Sequence, residues 1–276
     1  MTRVSVVQLG SGADRDTNLD HIEKALRTAG DSRIVFLPEA SIYRGPYDPA
    51  YVEDDDGPAL RRIAGLAREL RLNVVLGGVW TPSGDAAHAY NSCLVFDRSG
   101  RIAARYRKVH LFRLDRTGAP ADDEAAFTVP GADTAVVRAG DITVGLSICY
   151  DLRFPALYRN LADAGATVLS VPANFSAYTG PAHWEALLRA RAIENLSYVV
   201  APAQIGTDAT GFSAYGHSMV VDPWGTVVAR ADDTPAVLTV DLDPSVVDVR
   251  RRELRSLQHD RLDVYARPAR IEELDG

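Results

Sequence analysis

Short, almost unbroken apolar runs recur along this chain of 276 residues, at 34–37, 142–148, 167–171 and 199–204. A strand with one wet face alternates apolar and polar residues. A short run without alternation fits a strand covered on both faces. Segments able to cover such strands lie between them. Leu19, Ile22, Leu26 and Ala29 keep helical spacing, and so do Leu60, Ile63, Leu66 and Leu70. A third helix is expected over 156–164. A longer one opens at Pro181 and carries Trp184, Leu187, Leu188, Ile193 and Leu196, and a last one spans 244–254. Thr17 and Asp20 read as a capping box for the first helix, and Gly30 as its end.

The remaining strands come in hairpins. Residues 92–96 and 102–106 flank Asp97-Arg98-Ser99-Gly100, 134–138 and 142–148 flank Ala139-Gly140-Asp141, and 218–222 and 226–230 flank Pro223-Trp224-Gly225. Strands are also expected at 4–9, 74–80 and 237–240. Helices interleaved with both parallel and hairpin strands make this an α/β chain, with two mixed sheets face to face and helices outside. No internal repeat at solenoid periods and no linker divides it, so a single domain over 1–276 is expected, with a charged tail at 254–276 packing on a neighbour or partner chain.

Sites in such folds form where strands end. The run at 143–148 ends in Cys149-Tyr150-Asp151-Leu152-Arg153-Phe154-Pro155, a turn leading into a helix. The positive end of that helix favours a thiolate. A buried core cysteine is the competing reading of Cys149, and Cys93, inside a strand, is read as core. Glu39 and Lys108 also lie at strand ends, and Glu124 lies in the irregular stretch 113–130. A carboxylate can take a thiol proton, and a lysine cation or the Tyr150 N–H can hold the oxygen of a tetrahedral intermediate. A Cys–His pair is the rival arrangement. His110, His183 and His217 sit near element ends, where hydrogen-bonded structural roles are the alternative.

The formal net charge is −7 with basic residues dispersed, which argues against nucleic-acid or anionic-membrane partners. Two cysteines imply no disulfide framework and fit a reducing, cytoplasmic setting. No HExxH, CxxC, phosphate loop or Gly-x-Ser-x-Gly elbow occurs, so neither a metal nor another cofactor is expected.

Three motifs in order, Leu37-Pro38-Glu39, Tyr106-Arg107-Lys108-Val109-His110-Leu111-Phe112 and Ile148-Cys149-Tyr150-Asp151-Leu152-Arg153-Phe154-Pro155, resemble the nitrilase superfamily of carbon–nitrogen hydrolases. Gly180-Pro181-Ala182-His183-Trp184-Glu185 and Tyr215-Gly216-His217-Ser218-Met219 are similar to its Nit branch. The resemblance implies a four-layer α-β-β-α sandwich, assembled as dimers or larger homo-oligomers. It implies Glu39 as general base, Lys108 as oxyanion donor and Cys149 as nucleophile. It also implies a second acid before the cysteine, which Glu124 or Asp123 supplies. The implied activity is cofactor-free amide hydrolysis through a thioester. Its substrates would be small carboxylate-bearing amides such as deaminated glutathione or 2-oxo-acid ω-amides, or else N-carbamoyl compounds. Arg153 matches an arginine with which relatives grip a carboxylate; an ion pair with Asp151 or another acid is its alternative reading. Asn174, Phe175 and Tyr178 follow a strand end and are expected to wall the pocket, with Trp184 in the core.

Overall fold

The computed structural model describes residues 1–115, 117, 122–269 and 271. Gly118 and Pro120 of the irregular stretch, and the end of the charged tail, lie outside them.

Two six-stranded sheets form the centre. In spatial order the first consists of Ala236–Leu242, Thr2–Gln8, Ile34–Leu37, Asn73–Pro82, Ala89–Phe96 and Ile102–Arg107. The second consists of Val136–Ala139, Ile142–Leu146, Val168–Ser170, Tyr198–Ala201, Met219–Val221 and Val227–Arg230. Read in these orders, both sheets repeat one pattern: an antiparallel pair, two parallel pairs, two antiparallel pairs. In each, two helices make the parallel crossovers: α1 (Arg15–Thr28) and α2 (Pro58–Leu70) in the first, α3 (Pro155–Asp163) and α4 (Gly180–Asn195) in the second. The molecule is thus two copies of one topology. The first copy takes its edge strand, Ala236–Leu242, from beyond the second. The chain then continues through α5 (Pro244–Glu253) and the short α6 (Leu262–Tyr265).

The two-sided cover explains the unbroken apolar runs. Ile34 and Phe36 join the core shared with the second sheet, whereas Val35 and Leu37 pack with Ile22, Leu26, Leu60 and Ile63 of α1 and α2. The same alternation sends Cys93 and Val95 inward to the sheet interface and Leu94 and Phe96 toward the helices. Trp184 is buried, but Ile193 on the same helix faces solvent, because α4 turns Leu188, Arg191, Ala192 and Asn195 inward instead.

The start of α1 differs from the expected capping box. Asp14 is the N-cap, its carboxylate accepting from the Thr17 N–H at 2.7 Å, so the helix opens one turn earlier. A carboxylate at that position satisfies an orphan donor and also faces the positive helix end. Gly30, at φ +58°, follows the helix as expected. The hairpin Ile205–Thr207 with Ser213–Tyr215 has no counterpart in the sequence reading, since its strands are short and half polar.

The seam between sheets sets the site. In the strand Asn73–Pro82 the register shifts between Leu76 and Val79, at Gly77-Gly78. A Cβ on Gly77 would overlap Pro172 of the other sheet, and one on Gly78, at φ +58°, would overlap Glu39. Only glycine allows this close approach.

Candidate active site

Three strand ends meet at that seam. Glu39 follows Ile34–Leu37, Lys108 follows Ile102–Arg107, and Cys149 follows Ile142–Leu146. All three side chains are buried and line one cavity of about 390 Å³ together with Glu124. Lys108 Nζ donates to Glu39 Oε1 at 3.0 Å and to Glu124 Oε2 at 2.7 Å. Glu39 Oε2 accepts from the Asn174 N–H at 2.8 Å, and Glu124 Oε2 from the Phe112 N–H at 2.8 Å. The Cys149 side chain lines the same cavity, near enough for the Glu39 and Lys108 charges to act on its thiol.

Of the two acids weighed from sequence, Glu124 reaches Lys108. Asp123 instead caps the short turn Glu124–Ala126, accepting from the Ala125 N–H, and pairs with Arg113 at 2.7 Å.

Backbone turns hold the groups in place. Cys149 has φ +47° and Ala40, next to Glu39, has φ +57°. Each such residue costs roughly 1–2 kcal/mol, a strain that persists only where neighbours enforce it. Here Cys149 N–H is fixed by Pro172 O at 2.9 Å and Ala40 N–H by Gly78 O at 2.9 Å. Asp151, fully buried, accepts from Ile148 N–H, Tyr106 Oη, His110 N–H and His110 Nδ1 at 2.7–3.1 Å. It thereby locks the cysteine turn to the segment carrying Lys108.

The charges sort themselves by environment. Burial and the nearby Glu39 charge push the Cys149 thiol well up, against a smaller opposing pull from Lys108. The expected thiolate is therefore not the resting form: burial and the Glu39 charge outweigh what favours the thiolate. Burial also works against the Glu39 carboxylate. The Lys108 charge and hydrogen bonds from Asn174 and Asn91 more than compensate, holding Glu39 below its usual range. For Lys108, burial is outweighed by Glu124 and Glu39, and the ammonium is held well above its ordinary value. A neutral thiol thus shares one buried cavity with an ionised carboxylate and an ammonium.

The carbon–nitrogen hydrolase family model matches residues 3–252. This chain belongs to the carbon–nitrogen hydrolases. It is 40% identical over 271 residues to human deaminated glutathione amidase, covering 95% of this chain and 83% of that one. It is 34% identical over 268 residues to human omega-amidase NIT2, covering 96% of each. Its fold matches the crystal structure of the Caenorhabditis elegans NitFhit protein with a TM-score of 0.89 at 37% identity, over 96% of this chain and 66% of that one. The α-β-β-α sandwich of the nitrilase superfamily's Nit branch is the architecture described above.

In this carbon–nitrogen hydrolase the cavity walls divide by chemistry. Tyr150, Arg153, Asn174 and Phe175 all line it. Tyr178 does not; it is exposed, and the chain turns at Ser176–Thr179 so that Thr179 faces in instead. Arg153 pairs with no acid among the described residues. It donates to Thr179 Oγ1 and meets His183 Nδ1, each at 3.1 Å, and lies 5.2 Å from the Phe175 ring centroid. Asp151 is fully engaged elsewhere, which removes the ion-pair reading. No histidine lines the cavity among the described residues. His110 is held by Asp151 and stacked on Phe154 at 3.6 Å, and His217 is stacked on Tyr215. Cys93, sealed in the sheet interface, has its thiol pushed up to about 12 by burial.

The sequence reading passed over three groups. Asn91 touches both glutamates, and nothing in its strand pattern marks it. Tyr47, Trp80 and Phe127 form one aromatic wall, with centroids 4.9–5.8 Å apart, from three distant segments. Arg44, buried, donates to the carbonyls of Ile205, Gly206 and Phe212 and so pins the short hairpin at the cavity. Tyrosines set among prolines and acids at 42–58 are a sequence signal for a cleft lining; the other contacts depend on chain crossings.

Proposed function

We propose that this hydrolase cleaves the C–N bond of a small carboxylate-bearing amide by a cysteine thioester route. The gathering of a thiol, a carboxylate and an ammonium in one buried cavity, with Lys108 bonded to Glu39, carries this reading. Glu39 takes the proton from Cys149, and Sγ attacks the carboxamide carbon. The oxyanion is met by Lys108 and by the Tyr150 N–H, an amide in the first turn of a helix. Glu124 holds Lys108 and orients the substrate's NH2 group. The intermediate collapses, nitrogen takes the proton from Glu39, and ammonia leaves a thioester. Glu39 then deprotonates a water, which attacks the thioester. Sγ leaves, recovers its proton, and the acid is released. Every proton returns, so the cycle needs no cofactor.

At the substrate's other end, Arg153 offers a guanidinium for a carboxylate, in the two-bond geometry that lysine lacks. The names of the relatives above suggest deaminated glutathione first and ω-amides second; N-carbamoyl compounds are the alternative that the motif resemblance implies. The enzyme is expected to act as a homodimer or larger homo-oligomer, in the cytoplasm. In support, Leu262 and Tyr265 of the tail remain exposed in the single chain, and none of the helices among the described residues is long and apolar enough to cross a membrane.

Ammonia release across a panel of amides and carbamoyl compounds, with mass spectrometry of Cys149, tests the proposal. An acyl adduct should accumulate on Cys149, and Cys149→Ala should abolish turnover. Residual amide hydrolysis by that variant at the parent's rate would sink the thioester route. Arg153→Lys should raise KM for acidic amides roughly tenfold, the cost of trading a paired contact for a single one. Neutral short amides should be nearly unaffected; equal losses on both would count against the carboxylate contact.

A further inference from the structure

We propose that Asn91 is a positioning residue of this site, a neutral clamp that holds Glu39 and Glu124 on either side of Lys108. The inference rests on the reading of Glu39 as general base.

The physical problem is an excess of like charge. Two carboxylates share a single ammonium inside a buried chamber, and like charges so placed resist joint ionisation. Lys108 engages one oxygen of each. Asn91, in the strand Ala89–Phe96, reaches the same pair from the side: its Nδ2 donates to Glu39 Oε1 at 2.9 Å and to Glu124 Oε1 at 2.8 Å. Both amide protons are thereby used. No other neutral side chain among the described residues bridges the two acids.

Three further observations fix the orientation and the purpose. Only an NH2 group can face two carboxylates, since a turned amide would set its oxygen against them. The consequence is an Oδ1 that is buried without a hydrogen-bond partner. An unpaired buried acceptor is a liability for folding alone. Gly78 keeps the space clear: a Cβ there would lie 3.0 Å from Asn91 Oδ1 and would overlap Glu39 Cγ. Finally, the Asn91 carbonyl accepts the Lys108 N–H at 2.8 Å, so one residue ties the backbone beneath the ammonium and the side chains around it.

The clamp leaves Glu39 with Oε1 doubly bonded to Lys108 and Asn91. Oε2, held by the Asn174 N–H, is the oxygen with capacity for the Cys149 proton. Glu124 keeps a fixed distance from Glu39 rather than swinging with Lys108.

The test is the pH dependence of kcat/KM for Asn91→Ala and Asn91→Asp, measured on full-length protein with active sites counted by alkylation of Cys149. The acid limb reports ionisation of the base. Loss of one hydrogen bond to the carboxylate should move it upward by about one pH unit in Asn91→Ala, with kcat down roughly 10- to 100-fold. Asn91→Asp preserves shape but replaces donors with a third acid, so its limb should move further and its kcat fall lower. A packing role predicts the reverse order, because the isosteric change would be the milder one. That reversed order, or an acid limb coincident with the parent's in either variant, overturns the proposal. Glu39→Gln separates the two layers: if it stays active, the reading of the base fails; if it is dead while the Asn91 limbs do not move, only the clamp fails.

Discussion

Asp151 illustrates how much of the site rests on residues that touch no substrate. With its two oxygens taken by four donors, Asn in its place would turn an NH2 group toward some of them. Asp151→Asn should cost roughly 3 kcal/mol, read as a melting temperature lower by about 6–10 °C, together with lost activity. An unchanged melt would show that the turn is held by other contacts. Ionisation gives a second prediction. Glu39 lies below its ordinary 4.5 when folded, so it stabilises the fold fully above that pH. This contribution drains away as pH falls through the lower folded value. Lys108, raised well above 10.5, contributes fully below that pH and loses its share only as pH rises past its folded value. Stability measured by denaturant titration should therefore be flat, as far as this pair is concerned, between the two, and Glu39→Gln should lose only the share of the acid-side dependence that Glu39 supplies. Activity should likewise show no rise through the range where a free thiol ionises, because Glu39, not bulk pH, removes the Cys149 proton.

At the scale of elements, the decisive feature is the irregularity in the strand Asn73–Pro82. A regular strand would carry side chains where Gly77 and Gly78 allow Pro172 and Glu39 to approach. Gly77→Ala should destabilise by roughly 2 kcal/mol, about 5 °C in melting temperature, and should lower kcat as well, because Pro172 O anchors Cys149 N–H. A normal melt with normal kcat would mean the seam tolerates a methyl. The strands themselves were readable because cover on both faces leaves apolar runs. The pair Ile205–Thr207 and Ser213–Tyr215 was not, because its order comes from Arg44 and the cavity rather than from its own pattern.

For the whole molecule, the duplicated topology explains where the site lies. Each copy delivers its strand ends to one seam: Glu39 and Lys108 from the first sheet, Cys149 and Asn174 from the second. The site exists only where the copies meet, so neither half should bind or react alone. The exposed apolar residues of the tail, Leu254, Leu262, Val264 and Tyr265, predict self-association. Light scattering should give at least twice the chain mass, and removal of residues 254–276 should lower it; a monomer before truncation would refute this.

The order of apolar runs, helices and turns determined the layered α/β architecture, because burial on two faces leaves a mark at every strand position. The three motif segments likewise singled out Glu39, Lys108 and Cys149 by their place after strands. Folding in three dimensions decided what local patterns cannot encode: that Glu124 rather than Asp123 reaches Lys108, that Arg153 escapes Asp151, that the thiol rests protonated, and that Asn91 stands between two acids. Those outcomes depend on distances and desolvation between residues far apart in the chain, and neither exists until the sheets close on each other.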